Sequence, residues 1–150
     1  MKKSVRGLII TGIILLCLPL VLIVLLILWE IFCMTVNNIS GVCQTVGVMN
    51  GYSNSADIEV LDNVTFVGNT SGTGNHTEAR STVLVRAKDI NELEYRTNGD
   101  KYQITSLSEK IPEYKLDRWD RELEMPYENE DCYVVEVYGE VPFPNSIMGH

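Results

Sequence analysis

The sequence has few histidines and none of the common catalytic motifs. It contains only two histidines, His76 and His150, and neither accompanies a serine or cysteine in a recognisable nucleophile motif. The serine-hydrolase, zinc-protease, phosphate-loop and dinucleotide-binding patterns are all missing, and no CxxC pair supplies a redox dithiol. We therefore expect no enzymatic activity, no cofactor and no metal site.

Positive charge is also scarce beyond the first six residues. Residues 31–150 hold 9 Lys and Arg against 19 Asp and Glu, a net charge of about −10. Such an acidic surface argues against nucleic acid as a partner and against adhesion to anionic lipid headgroups. The acidic run at residues 128–131 lacks the ligand spacing of a calcium-binding loop. It is typical of a solvated surface.

Charge is absent altogether from the 22 residues Leu8–Trp29, which are almost wholly aliphatic. At roughly 1.5 Å per residue, a helix of this length measures about 33 Å and crosses the hydrocarbon core of a bilayer. The run is too long for a cleaved secretory signal and no small-x-small site closes it. Because Lys2, Lys3 and Arg6 precede it, the N-terminus is expected in the cytoplasm and the rest outside. The sequence thus predicts a cytoplasmic basic leader (1–7) and a transmembrane helix (8–30).

The helical pattern continues beyond the membrane. Phe32, Val36, Ile39, Cys43 and Val46 are spaced 4, 3, 4 and 3 residues apart, which places them in one apolar stripe on a helix. We refer to these five residues as the stripe. An exterior amphipathic helix is predicted over 31–50, with an end at Asn50-Gly51. Two candidates can cover the stripe: the downstream domain, or the same helix in neighbouring copies.

Residues 51–150 are predicted to form a small β-rich extracellular domain. Strands are expected over Asp57–Leu61, Val64–Val67, Ser81–Ala87 and Asp131–Gly139, with a loop at Gly68–Glu78 and a helix at Pro112–Glu124. Asn98-Gly99 suits a type I′ turn, so residues 93–97 and 100–104 are predicted to pair as a β-hairpin.

The exterior part contains two kinds of candidate modification. A disulfide between Cys43 and Cys132 is geometrically open, although Cys33 leaves an odd number of exterior cysteines and the pairing stays undetermined by sequence. Four N-x-Ser/Thr sequons are present, and three of them fall within 63–77, which predicts an exposed loop there in a host that glycosylates. The sequon asparagines are Asn38, Asn63, Asn69 and Asn75.

The start of the chain adds a family resemblance. Residues 2–7, Lys-Lys-Ser-Val-Arg-Gly, lead directly into Leu8-Ile9 and resemble a class III leader with Gly7 at the peptidase position. The long apolar helix, its exterior continuation, the small sheet domain and a last strand that runs into Val141-Pro-Phe-Pro144 complete the pattern. The chain therefore resembles type IV pilin-like proteins, most of all the TadE-like minor pseudopilins of the tight-adherence (Flp-type) system. It departs from many pilins in having Gly12 where they place a glutamate.

The resemblance implies a function and an architecture. In that family the N-terminal helices pack together in the core of a filament, and the β-rich part faces outward. We expect an α+β fold in which a long transmembrane helix continues as an amphipathic helix packed on a small antiparallel sheet. The expected role is a pilin-like subunit of a cell-surface filament or of a secretion or conjugation apparatus. Its expected partners are the lipid bilayer and other pilin-like or membrane subunits. The alternative is a single-pass anchored, N-glycosylated extracellular binding protein.

Overall fold

The structure is a computed structural model, and it describes residues 2–69, 76–97, 101–108, 123–126 and 130–146. It confirms the α+β class: a long N-terminal helix packs on a small antiparallel sheet of four strands. The elements in chain order are α1 (Lys2–Ser53), β1 (Ile58–Gly68), β2 (Glu78–Ala87), α2 (Ile90–Arg96), β3 (Lys101–Ser106) and β4 (Cys132–Glu140).

Helix α1 is 52 residues long, and its two halves have different surroundings. Its first half is long and apolar enough to cross a membrane, and the most apolar stretch is not buried against any described part of the chain. Its second half packs on β1 and β2. The helix ends at Ser53, slightly beyond the predicted end at Asn50-Gly51, because Tyr52 is fully buried in the core and fixes the last turn.

The sheet has the strand order β1-β2-β4-β3, and all three pairings are antiparallel. The two predicted strands before Gly68 are one continuous strand, β1, with a register shift between Val60 and Asp62. The bulge at Leu61 is what joins them, because one extra residue re-aims the side chains without ending the pairing. The predicted strands at Ser81–Ala87 and Asp131–Gly139 correspond to β2 and β4.

Each face of the sheet has its own apolar cluster, because successive side chains of a strand point to opposite faces. The face toward α1 carries a core formed with the end of the helix: Val48, Tyr52, Ile58, Val83, Val85, Ala87, Leu93, Val135 and Val137. The opposite face carries a second core that includes residues after β3: Val64, Leu84, Leu107, Leu123, Cys132 and Val134. The sheet is therefore buried on both sides.

The predicted hairpin over 93–104 is wrong. Residues 90–96 form α2, and β3 pairs with β4. Asp89 caps this helix, since its side chain accepts a hydrogen bond from the amide of Asn91 at 2.9 Å. The ion pair between Arg96 and Glu92 is spaced as a helical i,i+4 contact and stabilises the same turn. The Asn98-Gly99 turn lies outside the described residues, as does nearly all of the predicted helix at 112–124.

Candidate helix-packing surface

The face of α1 that contacts the sheet is built from small and polar residues. Asn37, Gly41, Thr45 and Val48 recur every three or four residues and are all buried. At Gly41 the helix approaches β1 so closely that an added Cβ would lie 2.5 Å from Val67 Cγ2. A glycine is required here because any side chain would push the helix away from the strand.

Hydrogen bonds fix the polar side chains of this face to the sheet. The Thr45 hydroxyl lies 2.6 Å from that of Thr65 and 2.9 Å from that of Ser81, and it donates to the Gly41 carbonyl at 3.2 Å. The Gln44 amide donates to the carbonyl of Val137 at 3.0 Å. The polar face of α1 is therefore satisfied within the molecule instead of by water.

The stripe lies on the opposite side of α1. Phe32, Ile39 and Val46 retain 51%, 59% and 49% of their accessible surface, Cys43 is exposed and Val36 is half-buried. The described part of the downstream domain, the first of the two predicted covers, therefore leaves the stripe open except at Phe32, whose ring contacts Phe143. The sequence spacing placed these residues on one face of α1. The structure shows that the domain packs against the opposite face.

The stripe continues the exposed apolar surface of the first half of α1 without a break. Large apolar side chains are exposed along α1 from Ile14 to Ile31, and Met34 and Val42 flank the stripe and are exposed as well. From Phe32 to Val46 the stripe adds about 21 Å of helix at 1.5 Å per residue. Contiguous apolar surface of this extent is typical of a protein or membrane interaction site.

A second feature of α1, which sequence reasoning missed, is its contact with the segment Val141–Ser146. Asn37 is fully buried, and its amide donates to the Phe143 carbonyl at 2.9 Å and to the Ser146 hydroxyl at 3.3 Å. Its side-chain oxygen accepts from the Phe143 amide at 3.0 Å. We name this set of bonds the Asn37 clamp. The sequence offers only an asparagine in a helix and a distant Pro-x-Pro segment, and this combination is too common to predict the clamp.

The clamp brings aromatic rings together where the apolar run of α1 ends. The ring of Phe143 lies 5.8 Å from that of Trp29 and 5.7 Å from that of Phe32, both in edge-on geometry. A cleft of about 180 Å³ lies beside them, lined by α1 and by residues 142–146. Cys33 borders the cleft, and its burial together with the nearby Glu30 carboxylate raises the pKa of its thiol.

The structure does not join Cys43 to Cys132. Cys43 is exposed on the side of α1 that faces away from the sheet. Cys132 is buried in the core on the far face of the sheet, among Val64, Leu84 and Val134. The sheet stands between the two thiols, and the structure leaves both cysteines free.

The sequons fall in different surroundings. Asn38 is exposed on α1 and donates to the Met34 carbonyl one turn earlier at 2.8 Å. Asn63 is half-buried within β1 and Asn69 is half-buried directly after it, whereas Asn75 lies outside the described residues. The predicted loop is therefore wrong for residues 63–68, which belong to a strand because Val64 packs in the second core.

The leader candidates Gly7 and Leu8 lie within α1, which begins at Lys2.

Across the described ranges, no three histidine, cysteine or carboxylate side chains converge as a metal site. Comparison of the chain with protein-family models, with curated proteins and with solved structures finds no match.

Proposed function

We propose that the chain is a membrane-anchored, pilin-like structural subunit whose helix α1 packs against the helices of neighbouring subunits. The observation that carries this proposal is the exposed stripe on the side of α1 that faces away from the sheet. The helix turns its polar face inward and its apolar face outward, the reverse of a surface helix in a soluble domain. The apolar face of such a helix is removed from water only when another apolar surface covers it.

Packing along the stripe supplies free energy that adds up with each neighbouring helix. Fully burying a side chain such as Phe, Ile or Val contributes roughly 1.5–3 kcal/mol. Phe32, Ile39 and Val46 are each about half exposed, so covering these three contributes about 3 kcal/mol per helix on the same scale. One such contact is weak, but a subunit surrounded by several helices gains it several times. Thr11 and Gly12 also permit close approach of helices inside the membrane.

The proposed topology places the N-terminus in the cytoplasm and the sheet domain outside, as the basic leader requires. Cleavage after Gly7 would then release a mature chain beginning at Leu8. We infer no catalytic role. The chain would act in a surface filament or a secretion or conjugation apparatus, with partners that present a similar helix.

The test uses Cys43, which stands in the stripe as a natural probe. Native membranes are treated with a short bismaleimide, and adducts are identified by mass spectrometry, which also reports the mature N-terminus. We expect Cys43 to join two pilin-like chains. The matched control is Cys43→Ser combined with Tyr95→Cys, because Tyr95 is 89% exposed on α2 and away from the stripe.

Two outcomes would contradict the proposal. Equal adduct yields from Cys43 and from the Tyr95→Cys control would show random collision instead of packing along the stripe. Unchanged yields in Ile39→Glu, which places a charge in the middle of the stripe, would show that apolar contact there does not hold the subunits together.

The alternative function is an anchored, N-glycosylated binding protein, and the exposure of Asn38 favours it. A glycan on Asn38 would stand beside Ile39 and keep neighbouring helices away from the stripe. The two functions therefore make opposite predictions. A mobility shift on deglycosylation that is abolished by Asn38→Gln, together with an intact N-terminus, supports the alternative and counts against assembly through α1.

A further inference from the structure

We propose that the segment Val141–Ser146 is a membrane foot, which seats the sheet domain on the lipid headgroup layer beside α1. This inference depends on α1 crossing the bilayer and is independent of assembly into a filament. The lipid is the occupant, and three observations lead to it: the height of the aromatic rings, the lack of charge in the segment, and the way its backbone donors are satisfied.

The first observation is height. Trp29 ends the uncharged stretch of α1, and tryptophan concentrates at the membrane–water interface. Phe32 follows three residues later, about 4.5 Å further along the helix axis. The polar layer of each leaflet is roughly 5–8 Å thick, taken from the total and hydrocarbon thicknesses of a bilayer. Phe143 contacts both rings and therefore lies within this layer.

The second observation is charge. The chain carries a formal charge of −8, yet residues 141–146, Val-Pro-Phe-Pro-Asn-Ser, contain no ionisable side chain. Pro142 is exposed and Phe143 and Pro144 are half-buried, so the segment presents apolar surface at the level of the headgroups. Among the described residues that line the adjoining cleft, Glu30 supplies the one carboxylate. This arrangement favours a zwitterionic lipid surface over an anionic one.

The third observation concerns the backbone. Water becomes scarce where the hydrocarbon core of a bilayer begins, so a segment that lies close to this boundary is favoured if it satisfies its own amide donors. Pro142 and Pro144 have no amide hydrogen to satisfy. The Phe143 amide donates to Asn37, and the Ser146 amide donates to the Phe143 carbonyl at 3.3 Å. Four of the six residues of the foot therefore need no amide partner from water.

The test measures the depth of residue 143 directly. The full chain carrying Trp29→Phe, Trp119→Phe and Phe143→Trp is reconstituted in phosphatidylcholine vesicles brominated at shallow acyl positions. We expect strong quenching of its emission and weak quenching by aqueous iodide. The matched control moves the probe to Tyr95→Trp in the same background, because α2 packs near the far end of α1. Its quenching pattern should be the reverse.

Two results would overturn the proposal. The first is a Phe143→Trp probe that behaves like the Tyr95→Trp control, which would place the segment in water. The second is a probe shielded from both quenchers whose emission depends on the protein-to-lipid ratio, which would make a second copy the occupant.

Discussion

Replacing Asn37 by alanine should release residues 141–146 from α1 while leaving the helix and sheet in place. The side chain makes all three of its hydrogen bonds to residues 143 and 146, more than 100 positions away in the chain. Within the described part of the chain, the buried Asn37 side chain bonds to this distant segment alone. Its bonds therefore hold the segment against α1. Its removal therefore acts on docking, and alanine is the better helix former at this position.

The size of the effect follows from the three bonds. Each contributes about 1 kcal/mol net, so their loss weakens docking by about 3 kcal/mol. No further penalty for orphaned polar groups is expected, because Phe143 is half-buried and its backbone becomes hydrated once the segment is released. Since every 1.4 kcal/mol is tenfold, Asn37→Ala should raise the opening of residues 141–146 by roughly 100-fold.

Hydrogen exchange measured by mass spectrometry in nanodiscs reports this opening. Peptides covering 141–146 should lose protection, as should the Thr77 amide, which donates to the Pro144 carbonyl at 2.6 Å. Peptides of β2 and β4 should keep theirs. The control is Asn38→Ala, which has the same gain in helix propensity but removes only a bond to the neighbouring turn. Unchanged protection of 141–146 in Asn37→Ala would refute the clamp.

Two further predictions concern the stability of the domain, measured by thermal unfolding in detergent micelles. Gly41→Ala should destabilise the domain by about 1–3 kcal/mol, because the new methyl group meets Val67. Gly47→Ala should stabilise it by roughly 0.5–1 kcal/mol, because the new methyl group meets nothing within 4 Å. Equal effects of the two substitutions would contradict the close approach at Gly41. The pKa of Glu92 lies below its ordinary value because the Ser55 hydroxyl and Arg96 bind its carboxylate. Its contribution is therefore complete at neutral pH and is lost as the pH falls below 4.5 through the pKa of the folded state. Glu92→Gln should lower the melting temperature at neutral pH, and the gap should close on acidification; a gap that widens instead would reverse the assigned sign.

Patterns with one dominant cause were predictable from the sequence. The uncharged run from Leu8 to Trp29 predicts an apolar helix, because a helix satisfies its own backbone hydrogen bonds and can therefore place so many aliphatic side chains in lipid. The β-branched run at residues 81–87 and the strand before Gly139 predict β2 and β4 for a similar reason, since both are buried on two faces.

Features that depend on long-range contacts were not predictable in the same way. The alternation of residues 93–97 indicates a strand, but the Asp89 cap and the burial of Leu93 against α1 favour a helix. The stripe was found by its spacing, yet sequence alone left its cover undecided. Small polar residues such as Thr45 read as solvent-facing until their hydroxyl partners on the sheet are known.

The position of β4 determines when the domain can fold. This strand lies between β2 and β3, although it comes after both along the chain. During synthesis, β1 and β2 can pair as soon as both are complete, but the inner edge of β2 and the whole of β3 must wait for residues 132–140. Until then the nascent chain displays open strand edges. A chain that stops before residue 132 would therefore keep those edges exposed.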